Sequence, residues 1–157
     1  MKHIYSTSRR DWIKAAGAAT GLAYSGLGLA QTAPIKLGGT VPLTGGNASI
    51  GKVAQATMQI WLDDVNKKGG ILGRKVELVI YDDQTNPTLI PGLYTKLIDV
   101  DKVDVLIGTG TNLIAPAMPL IMERKKLMVG NLALAVNDPF NYDKYFQLMA
   151  YGPDGKS

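Results

Sequence analysis

The sequence predicts an α/β protein: a parallel sheet with helices on both faces. Three observations lead there. Short runs of β-forming residues alternate with longer stretches of helical periodicity along most of the chain. Gly, Pro and Asn punctuate the junctions between them. The composition, 46% hydrophobic and 19% charged with no Cys, is that of a globular chain held together by a hydrophobic core and not by disulfides.

Residues 35–42 form a short apolar run with glycine at its centre and read as a buried first strand. Thr44-Gly45-Gly46-Asn47 is a loop. Residues 48–68 then carry helical spacing. Val53, Ala54, Thr57, Met58, Trp61, Leu62 and Val65 share one face, while Asp63, Asp64, Lys67 and Lys68 lie largely on the other. Gly69-Gly70 stops this helix. Residues 74–81 alternate and favour β structure, which makes a second strand ending at Asp82-Asp83.

Asn86-Pro87 reads as an N-cap with proline at the first helical position. The helix after it, 88–100, contains Pro91-Gly92, a pair expected to weaken or kink it. Residues 103–107 make a third strand, Gly108-Thr109-Gly110-Thr111-Asn112 a tight loop and 115–124 a third helix. The basic run Arg124-Lys125-Lys126 ends that helix, where cations meet the helix dipole favourably. Residues 127–130 and 144–149 complete five strands. Such alternation implies right-handed βαβ units, with ligands held beyond the carboxyl ends of the strands. That edge is formed by the loops 42–51, 82–86, 108–112 and 131–136.

Charge and residue content exclude several functions. The 157 residues carry a net charge of +4, but Lys2, Arg9, Arg10 and Lys14 against Asp11 place +3 of it in the first thirty. From Gln31 onward 13 basic residues face 12 acidic ones, so the body lacks the electrostatic footprint of a nucleic-acid binder. The only histidine is His3. Without Cys or a further His, the body has no zinc or iron–sulfur ligand set and no Ser–His or Cys–His nucleophile, and no metal or cofactor is expected. Asp82-Asp83 reads as a strand end whose carboxylates cap the loop after it. Gly108-x-Gly110 after a strand hints at a dinucleotide fingerprint, but Leu113 stands where a third glycine is needed.

The amino terminus reads as an address. Ser8-Arg9-Arg10-Asp11-Trp12-Ile13-Lys14 precedes an uncharged run of Ala, Gly and Leu that ends in Gly28-Leu29-Ala30. A charged region, a short apolar region and a small-x-small exit make an export signal over residues 1–30, too short and too weakly apolar for a transmembrane span. The paired arginines resemble the twin-arginine signal, although an ordinary secretory signal with two arginines also fits. Cleavage by signal peptidase near Ala30 would start the mature chain at Gln31, bound for the periplasm.

Pro42-Leu43-Thr44-Gly45, then Val65-Asn66-Lys67-Lys68-Gly69-Gly70-Ile71 with Leu72-Gly73-Arg74-Lys75, then Tyr81-Asp82-Asp83-Gln84 and Val105-Leu106-Ile107-Gly108 succeed one another in order. Together they resemble the amino-terminal lobe of the leucine/isoleucine/valine-binding group of type I periplasmic binding proteins, which serve ABC importers. The resemblance covers residues 35–155. It implies a two-lobed protein of which residues 31–150 are an incomplete first lobe, with 151–157 starting the crossing to a second. It also implies a substrate-binding component without catalysis: an amino-acid-like solute is held in the inter-lobe cleft by hinge closure and presented to an inner-membrane permease. A periplasmic sensor of the same fold is the alternative. A nucleotide-dependent oxidoreductase is disfavoured by the failed glycine fingerprint.

In that group the ligand carboxylate meets two first-lobe loops. By resemblance the first supplies Thr109, Thr111 and Asn112, with Asn112 where Ser is common. The second supplies Ala133, through its backbone, and Ala135, where the leucine-type proteins carry Thr. Thr44 and Ile50 belong to the loop before the first helix, and Ile50 stands where an aromatic residue is frequent. Three departures at ligand positions point away from leucine, isoleucine or valine and toward an amide, a different amino acid or an aromatic acid. Thr109, Thr111 and Asn112 would equally suit the capping of the third helix.

Overall fold

The computed structural model describes residues 33–149. Arg9, Arg10, Ala30 and the expected crossing at 151–157 lie outside them. Five strands form one all-parallel sheet in the order β2-β1-β3-β4-β5: β1 Ile35–Val41, β2 Val76–Asp82, β3 Val105–Thr109, β4 Leu127–Asn131 and β5 Tyr145–Gln147. The order reverses between β1 and β3. Right-handed crossovers therefore place α1 (Ala48–Lys67) on one face and the later helical segments on the other.

The segment after Asn86 is continuous but changes winding twice. A 3-10 turn (Pro87–Leu89) leads into α2 (Ile90–Thr95), and a π turn (Lys96–Val100) ends it. The Asn86 side chain accepts from the amide of Thr88 at 3.0 Å, the cap expected from Asn-Pro. Pro91 lies in the first turn of α2, where its missing amide costs little. The expected weakening thus appears as a change of winding.

The third helix starts four residues earlier than expected. Gly108 and Thr109 belong to β3, and Gly110, at φ +88°, makes the whole turn by itself. Thr111 then opens α3 (Thr111–Ile114). A 3-10 turn (Ala115–Ala117) and α4 (Met118–Glu123) come next, each with a proline in its first turn. The predicted loop 108–112 is therefore strand end, single-residue turn and helix start.

The core lies on the α2 face. Ile90, Tyr94, Leu97, Leu106, Ile114, Met118, Ile121 and Met128 are fully buried there. The strands alternate accordingly: Leu106, Gly108, Met128 and Gly130 are buried, while Val105, Ile107, Leu127 and Val129 on the opposite face are partly exposed. Only α1 covers that second face among the described residues. Its Ala54, Met58, Leu62 and Val65 are half-buried. Val53 and Trp61, predicted on the same stripe, are 67% and 42% exposed, as is Ile60 at 66%. The apolar arc of α1 is wider than the surface it meets.

Two polar clamps explain the motif around residues 65–75. The Asn66 carboxamide receives the amide of Val76 at 2.8 Å and donates to the carbonyl of Val76 at 2.9 Å, docking the end of α1 to the start of β2. Arg74 donates from Nε to the carbonyl of Ala33 and from Nη2 to that of Pro34. Gly69 and Gly70, both at positive φ, end α1 between the two clamps.

Candidate ligand edge

The carboxyl ends of the strands gather four connections into one edge. On its left side Asp82 is the fixed point. Its Oδ1 accepts the amides of Leu43 (2.8 Å), Thr44 (3.1 Å) and Gln84 (2.9 Å), and its Oδ2 accepts the hydroxyl of Thr44 at 2.6 Å. These bonds, that of Thr44 foremost, hold the Asp82 carboxyl below the usual carboxylate range. Thr85 adds a second tie: its hydroxyl donates to the carbonyl of Thr44 and accepts from the amide of Asn47. The loop after β1 is thus stapled to the loop after β2. Both aspartates at the end of β2 do cap the loop after them, as their sequence implied.

Asp83 is the opposite case. It has no exposed surface, accepts the amide of Thr85 through Oδ1 and leaves Oδ2 without a partner. Thr40 Oγ1 and the Tyr94 hydroxyl stand beside it, with no aligned bond from Thr40. Burial raises the Asp83 carboxyl above its ordinary value. An acid raised on folding contributes fully at pH below its unfolded value, near 3.8, and loses that contribution as pH climbs through the folded value. Asp83→Asn keeps the acceptor for Thr85 and adds a donor for Thr40. It is expected to gain about 1 kcal/mol at neutral pH and to flatten the decline of thermal stability above pH 4. Melting curves from pH 3.5 to 7 check this, and an unchanged pH profile would contradict it.

On the right side β3 and β4 run level, Thr109 opposite Asn131, and the amide of Gly110 donates to the carbonyl of Asn131 at 3.0 Å. Thr111 Oγ1 accepts from the amide of Leu134 at 2.9 Å and donates to its carbonyl at 3.3 Å. The two sequence-predicted ligand loops are therefore in direct contact. Thr109 is 4% exposed with its hydroxyl unpartnered, and Asn112 is exposed. Ala133 is fully buried in the core, backbone included, whereas Ala135 is partly exposed. Ala135, at φ +53°, and Leu132, at φ +48°, turn that loop in the left-handed region.

A groove of about 490 Å³ runs between α1 and the end of β4. Ile50, Val53 and Met58 of α1 form one wall, and Asn131 and Leu132 form the other. Ile50 is thereby brought to the edge of the second ligand loop. Thr44 is not: its hydroxyl is spent on Asp82. Sequence reasoning missed Leu132 and the Asp82–Thr85 staple. The Tyr-Asp-Asp-Gln run was the available signal for the staple.

A doubly wound lobe with its loops tied together along one edge is a ligand-binding lobe in architecture. Residues 34–156 match the periplasmic binding protein family, and the chain belongs to it, within the type I, branched-chain amino acid group. It is 36% identical over 104 residues, 66% of this chain and 28% of the relative, to the Leu/Ile/Val-binding protein BraC3 of Rhizobium johnstonii. The branched-chain amino acid transporter substrate-binding protein LivJ of Streptococcus pneumoniae, solved with isoleucine, superposes with a TM-score of 0.68. That match is at 23% identity over 73% of this chain and 33% of that one, and it shows the shared fold. A solute-binding protein of an ABC transporter from Rhodopseudomonas palustris, solved with 3,4-dihydroxybenzoic acid, matches with a TM-score of 0.64 and 28% identity over 73% of this chain and 31% of that one. The chain spans about a third or less of the length of these relatives.

Proposed function

We propose that this chain supplies the first lobe of the substrate-binding component of an ABC importer, acting by binding and not by catalysis. In this reading residues 1–30 direct export, by the twin-arginine route and with cleavage near Ala30, and the lobe works in the periplasm. Hinge closure onto a second lobe then presents the ligand to an inner-membrane permease. Recovery of a periplasmic product beginning at Gln31 checks the export step, and a product retaining Arg9 and Arg10 contradicts it.

One observation carries the proposal: Thr111 and Asn112 at the start of α3 and the loop after β4 that carries Ala133 and Ala135 are held together at the carboxyl edge. The exposed Asn112 carboxamide can donate to a carboxylate, while the unpartnered Thr109 hydroxyl is buried beneath the edge. Ile50 and the groove beside it add an apolar wall. Together these suit a small acid with a compact apolar or aromatic body: an amino acid, an amide-bearing relative or an aromatic acid.

Amide NMR spectra with isoleucine, glutamine and 3,4-dihydroxybenzoate at millimolar concentration test this. The expected result is weak binding, with shifts confined to residues 109–112 and 131–135 for one ligand class. A panel that leaves those amides unmoved would overturn the reading.

A further inference from the structure

We infer that Thr111 is a positioning residue of the ligand edge and not a contact for the ligand's carboxylate. This rests on the binding reading above and assigns the residue a different task within it. A hydroxyl has one proton to give and two lone pairs to offer. The Thr111 proton goes to the carbonyl of Leu134 and one lone pair receives the amide of Leu134, at 3.3 and 2.9 Å. A carboxylate only accepts, so nothing remains on this hydroxyl for it to take. The bond does not serve α3 either, since the Thr111 side chain meets no amide of its own helix and no side chain caps that helix.

The hydroxyl instead bridges 23 residues of sequence, fastening the loop after β4 to the first turn of α3. That loop needs fastening. Leu132 and Ala135 both adopt the left-handed region that side chains disfavour, at φ +48° and +53°. Ala133 and Val136 hold the loop inward by burial, whereas Leu134 between them is 49% exposed and stands outside the core cluster. Thr111 fixes Leu134 by hydrogen bonds, and so sets the course of the backbone from the buried Ala133 to the partly exposed Ala135.

Thr111→Val removes the hydroxyl at nearly constant shape, and Thr111→Ser restores it. Hydrogen exchange on the full chain is expected to show the Leu134 amide opening about tenfold faster in the Val variant. Exchange at Gly39 in β1, an interior strand of the sheet, should stay unchanged, and the Ser variant should behave as the parent. The shifts induced by isoleucine or 3,4-dihydroxybenzoate at Ala133 and Ala135 should need about tenfold more ligand in Val and the parental amount in Ser. A Leu134 amide protected equally in the Val variant overturns the latch, most clearly if ligand affinity falls all the same, because Thr111 would then touch ligand directly. Failure of Ser to restore exchange overturns it as well. If neither ligand shifts the unaltered chain, the binding reading fails, and Leu134 exchange alone still decides whether the latch exists.

Discussion

Gly51→Ala is expected to destabilise the protein by about 1–3 kcal/mol, although helix propensity alone favours alanine there by about 1 kcal/mol. The two forces have opposite signs, so the sign of the measured change decides between them. Gly51 is the one buried residue of α1 and lies in its first turn, its amide bonded to the carbonyl of Asn47 at 3.0 Å. A Cβ at this position would overlap the carbonyl of Pro42, just beyond β1. The obstacle is backbone, with no rotamer to yield, so the start of α1 would have to lift away from the sheet and carry Ile50 and the groove wall with it. Gly46 is the control: nothing lies within 4 Å of a Cβ built there, and Gly46→Ala should change stability by no more than about 0.5 kcal/mol. Urea unfolding of both variants is the measurement. A stabilised Gly51→Ala would mean that α1 does not rest on Pro42.

Tyr94→Ala should cost more, about 3–5 kcal/mol, the range for emptying a buried aromatic site. Tyr94 is fully buried among the residues of α2, β3 and α3 that make the core, and its hydroxyl donates to the carbonyl of Ile107 at 3.0 Å. Gly108 makes room for that hydroxyl, which a Cβ there would approach to 2.9 Å. Tyr94→Phe keeps the ring and loses only the hydrogen bond, so about 0.5–1.5 kcal/mol is expected. Unfolding free energies of the pair separate packing from polar contact. Equal losses in the two variants would contradict the central place of the ring.

Most of the fold was legible because its signals are local. Strand runs, the Asn-Pro cap and the Gly69-Gly70 stop act within a few residues, and each element they marked is present. The features that escaped depend on distant partners. Val53 and Met58 look alike in sequence, both apolar and at helical spacing, yet Met58 is half-buried and Val53 is exposed. The early start of α3 turned on Gly110 making the turn alone, so that Thr111 could begin the helix. At the edge, resemblance placed Thr109 to Asn112 and Ala133 to Ala135 in neighbouring loops, and they are neighbours. It could not show that the Thr44 hydroxyl is spent on Asp82, 38 residues away, or that the Thr111 hydroxyl is spent on Leu134. A hydroxyl in a sequence is an open valence. Its partner is chosen by the fold.

The wide apolar arc of α1 gives the protein a built-in optical reporter. The chain has two tryptophans, Trp12 and Trp61, and Trp12 belongs to the segment read as the export signal. Within residues 31–157 Trp61 is the sole indole, 42% exposed on α1. A surface that packs over α1 at Trp61 would dry the indole and move its emission to shorter wavelength. One fluorescence spectrum, taken without labelling, then distinguishes a lobe standing alone from a lobe covered over α1.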